Sequence, residues 1–312
     1  MEGYKDIIKR YSKNPILKRE DIPYPVETVH NPAVTKFEGK YIMLFRSHLR
    51  NGRSIIGIGE SEDGYTFRIR NKPFIIPSEH EPFKTYEEYG VEDPRIAEIG
   101  GIYYITFSAY SKFGVRVVLA KTEDFKSLER ISIITQADCR NVVLFPEKIG
   151  GRYVRLDRPH TEIIPWSIWI SYSPDLIYWG DSKVIIMPKK YHWDELKVGP
   201  GATPIKTKKG WLNIFHGVFR TMDGAIYRLG VALHDINDPE KVLVGDNWIL
   251  EPKDPWERVG YVHNVVFTCG AVLEENGILK IYWGGADSVV CVGEANIDEI
   301  LEDLLSHLRS PL

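Results

Sequence analysis

Gly39-Lys-Tyr-Ile-Met-Leu-Phe-Arg46, then Ile55-Ile-Gly-Ile-Gly59, then Ser61-Glu-Asp-Gly-Tyr65 is the stretch that decides the fold of this chain. Runs rich in β-branched and aromatic residues and bounded by glycine read as two strands, and the acidic segment behind them reads as a turn. The same order returns at Gly101-Ile-Tyr-Tyr-Ile-Thr-Phe107, Val115-Arg-Val-Val-Leu-Ala120 and Thr122-Glu-Asp-Phe125. A shorter copy runs from Trp166-Ser-Ile-Trp-Ile170 to Ser173-Pro-Asp-Leu176, with Tyr178 and Trp179 behind the turn. The fourth copy begins at Gly210-Trp-Leu-Asn-Ile-Phe215, continues at Tyr227-Arg-Leu-Gly-Val-Ala-Leu233 and turns at His234-Asp-Ile-Asn-Asp-Pro239. The fifth is Gly277-Ile-Leu-Lys-Ile-Tyr-Trp283 followed by Ser288-Val-Val-Cys-Val-Gly-Glu294.

A pattern that returns about every 45–65 residues lies in the range of propeller blades. Five copies predict an all-β, five-bladed β-propeller occupying residues 1–312 as one domain. A small antiparallel sheet cannot bury both faces alone, and radial stacking solves that while leaving only short edges. A β-sandwich or two smaller β domains would fit short, evenly spaced strands as well, but no Ser/Gly-rich or charge-block linker marks a boundary. Helical periodicity occurs only at the ends, over Tyr4–Tyr11 and Ile297–Leu308, where short helices could close the ring or meet a second subunit.

Bulk properties narrow the function. Among 312 residues, 43% are hydrophobic and 27% charged, enough for a large core, and the net charge of -3 argues against nucleic acid as the main partner. The three cysteines, Cys139, Cys269 and Cys291, have no CxxC spacing, so they read as buried apolar residues in a reducing compartment. The first twenty residues lack the apolar core of a secretory signal, and no uncharged run of ~18 apolar residues could span a bilayer, so a cytoplasmic location is expected. Walker, dinucleotide, HExxH and GxSxG motifs are absent from the sequence.

Polar clusters beside predicted strands are where chemistry is to be sought. Gly90-Val-Glu-Asp-Pro-Arg-Ile96 sets Asp93 before a proline, which predicts an extended backbone and a fixed carboxylate direction, although Asp-Pro also merely starts strands. Arg140-Asn-Val-Val-Leu-Phe-Pro-Glu-Lys148 and Arg155-Leu-Asp-Arg-Pro-His160 concentrate guanidinium and amide groups that match phosphate oxygens, or else decorate a solvated hairpin. Lys197-Val-Gly-Pro-Gly201, His216 and Tyr227-Arg228 supply further donors at successive strand ends. The 8 Trp and 17 Tyr offer flat faces for sugar rings, though most tryptophans in so β-rich a chain belong to the core.

The segments NPAV (Asn31–Val34), LFRS ending at Ser47, VEDPRI around Asp93, RNVVLFPEKI from Arg140, DRP (Asp157–Pro159), GPGATPI (Gly199–Ile205) and GGAD ending at Asp287 resemble the signature segments of glycoside hydrolase family 130. That family is built on five-bladed propellers and contains mainly inverting β-mannoside phosphorylases, with a minority of β-mannosidases. The resemblance implies that Asp93 is the general acid and that Arg140, Asn141, Arg158, Lys197, His216 and Tyr227 hold phosphate. It implies mannosyl contacts from Asn31, Arg46 and Asp287, and contacts from Glu92, His48, Arg50 and Tyr89 to the outgoing sugar. It further implies a β-mannosyl oligosaccharide and phosphate as the partners and a homo-oligomer as the assembly. No metal and no organic cofactor is implied, with inorganic phosphate as co-substrate.

An inverting hydrolase needs a second carboxylate to activate water, whereas phosphate is already anionic and needs only positioning. One acid beside a basic cluster therefore predicts phosphorolysis, giving α-mannose 1-phosphate and a released acceptor sugar. A β-mannosidase and a non-catalytic sugar-binding propeller are the competing readings. An arabinan- or fructan-cleaving propeller would need three carboxylates on separate blades, and no such triad assembles.

Overall fold

A computed structural model describes residues 7–312. The architecture is all-β: five antiparallel meanders follow one another along the chain. The first comprises β2 (His30–Phe37), β3 (Lys40–His48), β4 (Ser54–Ser61) and β5 (Arg68–Ile69), preceded by β1 (Lys9–Arg10). The second holds β6 (Gly90–Ile99), β7 (Ile102–Ser111), β8 (Gly114–Thr122) and β9 (Glu129–Ile133), and a single parallel bridge from Ser54 to Gly90 joins it to the first. The third holds β10 (Cys139–Leu144), β11 (Tyr153–Pro159), β12 (Ile168–Ser173) and β13 (Gly180–Ile186). In the fourth, β14 (Lys197–Pro200) and β15 (Ile205–Thr207) both pair with β16 (Gly210–Thr221), which leads to β17 (Gly224–His234) and β18 (Val242–Leu250). The fifth is β19 (Val266–Leu273), β20 (Ile278–Gly285) and β21 (Val289–Asn296), and the chain ends in β22 (Leu308–Arg309), paired with β18.

The acidic turns of the repeat have a common physical basis. Asp63, Asp124, Asp175 and Asp235 each turn the chain by accepting backbone N–H groups two and three residues on, for example Tyr65 and Thr66 at 2.8 Å and Ile177 and Tyr178 at 2.9 Å. These bonds favour the ionised carboxyl, and they hold Asp63 and Asp124 down at about 2, although the small degree of burial at each works the other way.

Hydrophobic packing lies between meanders. Leu44, Ile56, Ile105 and Phe107 join the first to the second; Leu119, Val142 and Leu144 the second to the third. Leu156, Ile170, Trp211 and Phe215 join the third to the fourth; Leu212, Leu229, Ile281 and Trp283 the fourth to the fifth. Met43, Phe45, Tyr282 and Val290 join the fifth back to the first.

Two expectations are corrected here. The third copy of the repeat starts one strand earlier than its apolar pattern suggested, because β11 carries Arg155, Asp157 and Arg158 and so does not read as a core strand. The segment expected to be helical over Tyr4–Tyr11 is extended at Lys9–Arg10, which pair with Glu294 and Gly293 of β21; residues 4–6 lie outside the described residues. Edge pairing satisfies backbone groups that one helical turn would leave to solvent. The C-terminal expectation holds for Ile297–Ser306, which form α3, a longer helix than α1 (Phe83–Tyr86) or α2 (Pro255–Arg258), capped by Asn296, whose side chain accepts from the Asp298 N–H at 2.8 Å; Leu308 instead pairs with β18.

Candidate active site

The first strand of four meanders is broken at corresponding points. The β2–β3 register shifts between His30 and Ala33, β6–β7 between Glu92 and Arg95, β10–β11 between Arg140 and Val143, and β19–β20 between Thr268 and Gly270. Three of these bulges hold a short polar residue at positive φ: Asn31 at 50°, Asp93 at 53° and Asn141 at 58°. Asn and Asp tolerate this left-handed conformation better than other side-chain-bearing residues, and a bulge re-aims the side chain it carries. The extended backbone expected for Asp93 is thus overturned, since the demand of the bulge outweighs the preference of a residue preceding proline. Asp287, in the β20–β21 turn, has φ 49°. These four side chains meet, with residues of every meander, around one cavity of about 300 Å³.

One side of the cavity is built on Arg46. Its guanidinium donates to Glu92 Oε1 at 2.7 Å and Asp93 Oδ1 at 3.1 Å, and to His48 Nε2 at 2.9 Å, which leaves the His48 proton on Nδ1. Asn31 Nδ2 donates to the same Asp93 oxygen at 2.8 Å. Arg95, 2% exposed, donates to the Asp93 carbonyl at 2.9 Å and to the carbonyls of Gly201 and Pro200, tying the Asp93 bulge to the Gly-Pro-Gly segment. Burial would raise the Asp93 pKa, but Arg46, Arg95 and the Asn31 amide outweigh it and hold the carboxyl well below the usual range. Asp287 goes the other way. Burial, with Asp93 and Glu92 nearby, pushes it up to about 6 against the opposing pull of Arg46.

The other side is cationic. Arg158 donates to His216 Nε2 at 2.9 Å and approaches His160 Nε2 at 3.5 Å; neither Arg158 nor Lys197 has a carboxylate within ion-pair distance among the described residues. Burial, followed by Arg158 and Arg140, brings the Lys197 ammonium down to about 7, and burial lowers Arg158 to about 10. Arg140 Nε, Asn141 Nδ2, Arg158 Nε and His216 Nδ1 are buried N–H donors with no partner in the protein. A buried donor left unbonded costs about 1–3 kcal/mol, so four at one wall mark a place shaped for an acceptor-rich anion.

Comparison with known proteins places the chain. A family model described as beta-1,4-mannooligosaccharide phosphorylase matches residues 4–306. The chain belongs to glycoside hydrolase family 130. Within family 130 it is 40% identical over 253 residues to a beta-1,2-mannobiose phosphorylase of Listeria innocua, covering 80% of this chain and 69% of that one. It is 35% identical to a 1,2-beta-oligomannan phosphorylase of a Thermoanaerobacter species, covering 94% and 98% of the two chains. The solved structure of the Listeria innocua enzyme in complex with beta-1,2-mannobiose superposes with a TM-score of 0.89 at 32% identity, over 96% of this chain and 99% of that one.

All ten residues marked from the family 130 resemblance line the cavity: Asn31, Arg46, Asp93, Arg140, Asn141, Arg158, Lys197, His216, Tyr227 and Asp287. Of the four suggested for the outgoing sugar, Glu92 and His48 sit behind Arg46 rather than on the wall, Arg50 reaches out toward Glu27, and Tyr89 packs on Tyr110 outside it. Sequence reasoning missed Trp166, His160, Phe267, Val262 and Val265 as lining residues. His160 could have been found as the end of the Arg155–His160 cluster; the others carry no local signal that separates a cavity wall from core. Among the described residues no helix is long and apolar enough to cross a membrane, and no group of three or more His, Cys, Asp or Glu is placed to hold a metal.

Proposed function

We propose that this chain is an inverting β-mannoside phosphorylase built as one five-bladed propeller domain. Support for the propeller comes from the cores between successive meanders, the last returning to the first, and from two cavities that each draw residues from all five meanders. One is the site described above. The other, about 390 Å³, is lined by the far ends of the same first strands, including Val34, Ile96, Pro146, Pro204 and Cys269. Two mouths on one axis are what a stacked ring of blades leaves.

The observation that carries the phosphorylase reading is the set of unpartnered buried donors on Arg140, Asn141, Arg158 and His216 beside Lys197. The mannosyl ring lies between this wall and Asp93, with Asn31, Arg46 and Asp287 binding its hydroxyls; Asn31 Oδ1 is a buried acceptor free for one of them. Hydrogen phosphate on the cationic wall attacks the anomeric carbon from the face opposite the β-linked oxygen, and the glycosidic bond breaks as the new C–O bond forms. Inversion gives α-mannose 1-phosphate. The departing oxygen takes a proton from the Asp93 carboxyl, and the proton lost by hydrogen phosphate on becoming the product dianion restores the balance.

The low proton affinity of Asp93 in the free site fits this order of events. With Arg46 and Arg95 beside it, Asp93 is a carboxylate until an anion and a sugar fill the cavity, and their negative charge and desolvation raise its proton affinity when the acid is needed. The carboxylates on the cavity wall, Asp93 and Asp287, both feel the charge of Arg46, and the cationic wall holds no carboxylate to activate water. This favours phosphorolysis over hydrolysis. Similarity to proteins named for β-1,2-linked mannosides favours that linkage. The test is incubation with β-1,2- and β-1,4-linked mannobiose, with and without phosphate. Mannose 1-phosphate formed only with phosphate supports the proposal, and free mannose released at equal rates in both conditions refutes it.

A further inference from the structure

The phosphate wall has an aromatic side whose role goes beyond closing the cavity. Trp166 lies in the loop before β12, half-buried, where its ring faces both unneutralised cations: Arg158 Cζ is 5.4 Å and Lys197 Nζ 5.1 Å from the ring. Tyr227 faces Lys197 from elsewhere at 5.2 Å, so the ammonium sits against two rings. His160 stacks flat on Trp166, with ring centroids 4.0 Å apart and planes 9° apart. Burial, with Arg158 and Arg140 close by, brings His160 down to about 4, so it stacks as a neutral ring and adds no charge.

The backbone holds this arrangement. Trp166 bridges Lys197 in parallel register, its carbonyl accepts the Val198 N–H at 2.9 Å, and its indole N–H donates to the Thr161 carbonyl at 3.1 Å. Behind Trp166 and Lys197 lies a further cavity, about 530 Å³, lined also by Ile163, Leu196 and Arg220. Both residues line the two cavities, so the indole and the lysine stem form the partition between them.

We propose that Trp166, backed by His160, is a positioning residue for phosphate: its ring face holds Arg158 and Lys197 at the cationic wall and seals that wall from the adjoining cavity. The inference rests on the phosphorylase reading. Two cations without counter-ions repel each other, and Lys197 borders the larger cavity into which that repulsion would push it; an aromatic face attracts both without neutralising either, leaving their charge for the anion. A carboxylate in that place would hold them equally well but would compete with phosphate.

The experiment is calorimetric titration of inorganic phosphate into the unsubstituted protein, W166F and W166L, paired with KM values for phosphate and for the mannoside. A ring face that matters electrostatically predicts a graded series, about threefold weaker phosphate binding in W166F and about tenfold or more in W166L, with the mannoside KM changed by less than about twofold. Equal losses in W166F and W166L, or no loss in either, would overturn the inference. If W166L does not fold, W166F carries the test alone, a selective rise in the phosphate KM supporting the inference and an unchanged one overturning it. Failure of the unsubstituted protein to bind phosphate would remove the phosphorylase reading as well, and that result is distinct from a variant effect.

Discussion

Arg46 sits 2.7 Å from one carboxylate and 3.1 Å from another, with a histidine nitrogen as a third acceptor, whereas across the same cavity Arg158 leans on two neutral imidazoles and Lys197 on two aromatic rings. Both regions are buried and both are rich in charge. On the Arg46 side the protein supplies the counter-charges itself, so that side chain is fixed before any ligand arrives. On the other side Arg140 reaches Glu92 at 3.2 Å, but counter-charges are withheld from Arg158 and Lys197, and the electrostatic cost stays in the folded state until an anion relieves it. The difference teaches how one cavity can prepare two kinds of contact: directional contacts to a neutral sugar on a pre-paired frame, and a strong pull on a small anion at an unpaired one.

Asp93→Asn breaks the comparison most severely. It keeps the shape of the bulge and removes the carboxyl proposed as the acid, so turnover should fall by about 10²–10⁴-fold while the phosphate KM stays level or improves, as initial rates over a range of phosphate concentrations would show. Arg158→Ala probes the other wall. A loss of about 30- to 100-fold in phosphate affinity, with the mannoside KM little changed, is expected from removing one charge-assisted contact; a parallel loss for both substrates would mean that the two sides are not separate.

Asp287 sharpens the first region. Its folded pKa of about 6 lies above its ordinary value, so between roughly pH 4 and 6 the folded protein binds this proton more tightly than the unfolded chain. The stability it contributes is therefore present at low pH, is lost as pH rises through that window, and is not regained above it. Asp287→Asn should then be more stable than the parent by about 2 kcal/mol at pH 8 and little different near pH 4, while mannoside binding weakens, as denaturant melts at the two pH values would show. The smallest effect concerns Lys197. With its ammonium lowered to about 7 in the free site, phosphate affinity should decline up to about tenfold per pH unit above neutrality, and Lys197→Met should flatten that decline.

The repeat was legible because its second and third strands are apolar runs rich in β-branched residues that end in an aspartate turn, as at Ile55–Tyr65 and Val115–Phe125. The first strands were not. Their free edges bear on the cavity, where proline is tolerated for want of a pairing partner, so His30-Asn-Pro, Glu92-Asp-Pro and Gly199-Pro-Gly look like loops although they run within or at the end of strands. The bulges were hidden for the same reason: an Asn or Asp at positive φ has no signature except its type. Likewise β11 was masked by the charges it delivers to the interior, and its Arg155 is spent on Asp157 at 2.8 Å rather than on a ligand. The ten cavity residues came from resemblance more than from pattern, and Trp166, one tryptophan among 8, had nothing in its neighbourhood to set it apart.

The division of the cavity is tested most directly by titrating inorganic phosphate into Asp93→Asn and following mannobiose turnover in the same preparation. The account predicts that phosphate binds at least as tightly as to the parent while mannose 1-phosphate formation nearly stops. Loss of phosphate binding in this variant, or turnover at the parent's rate, would contradict it.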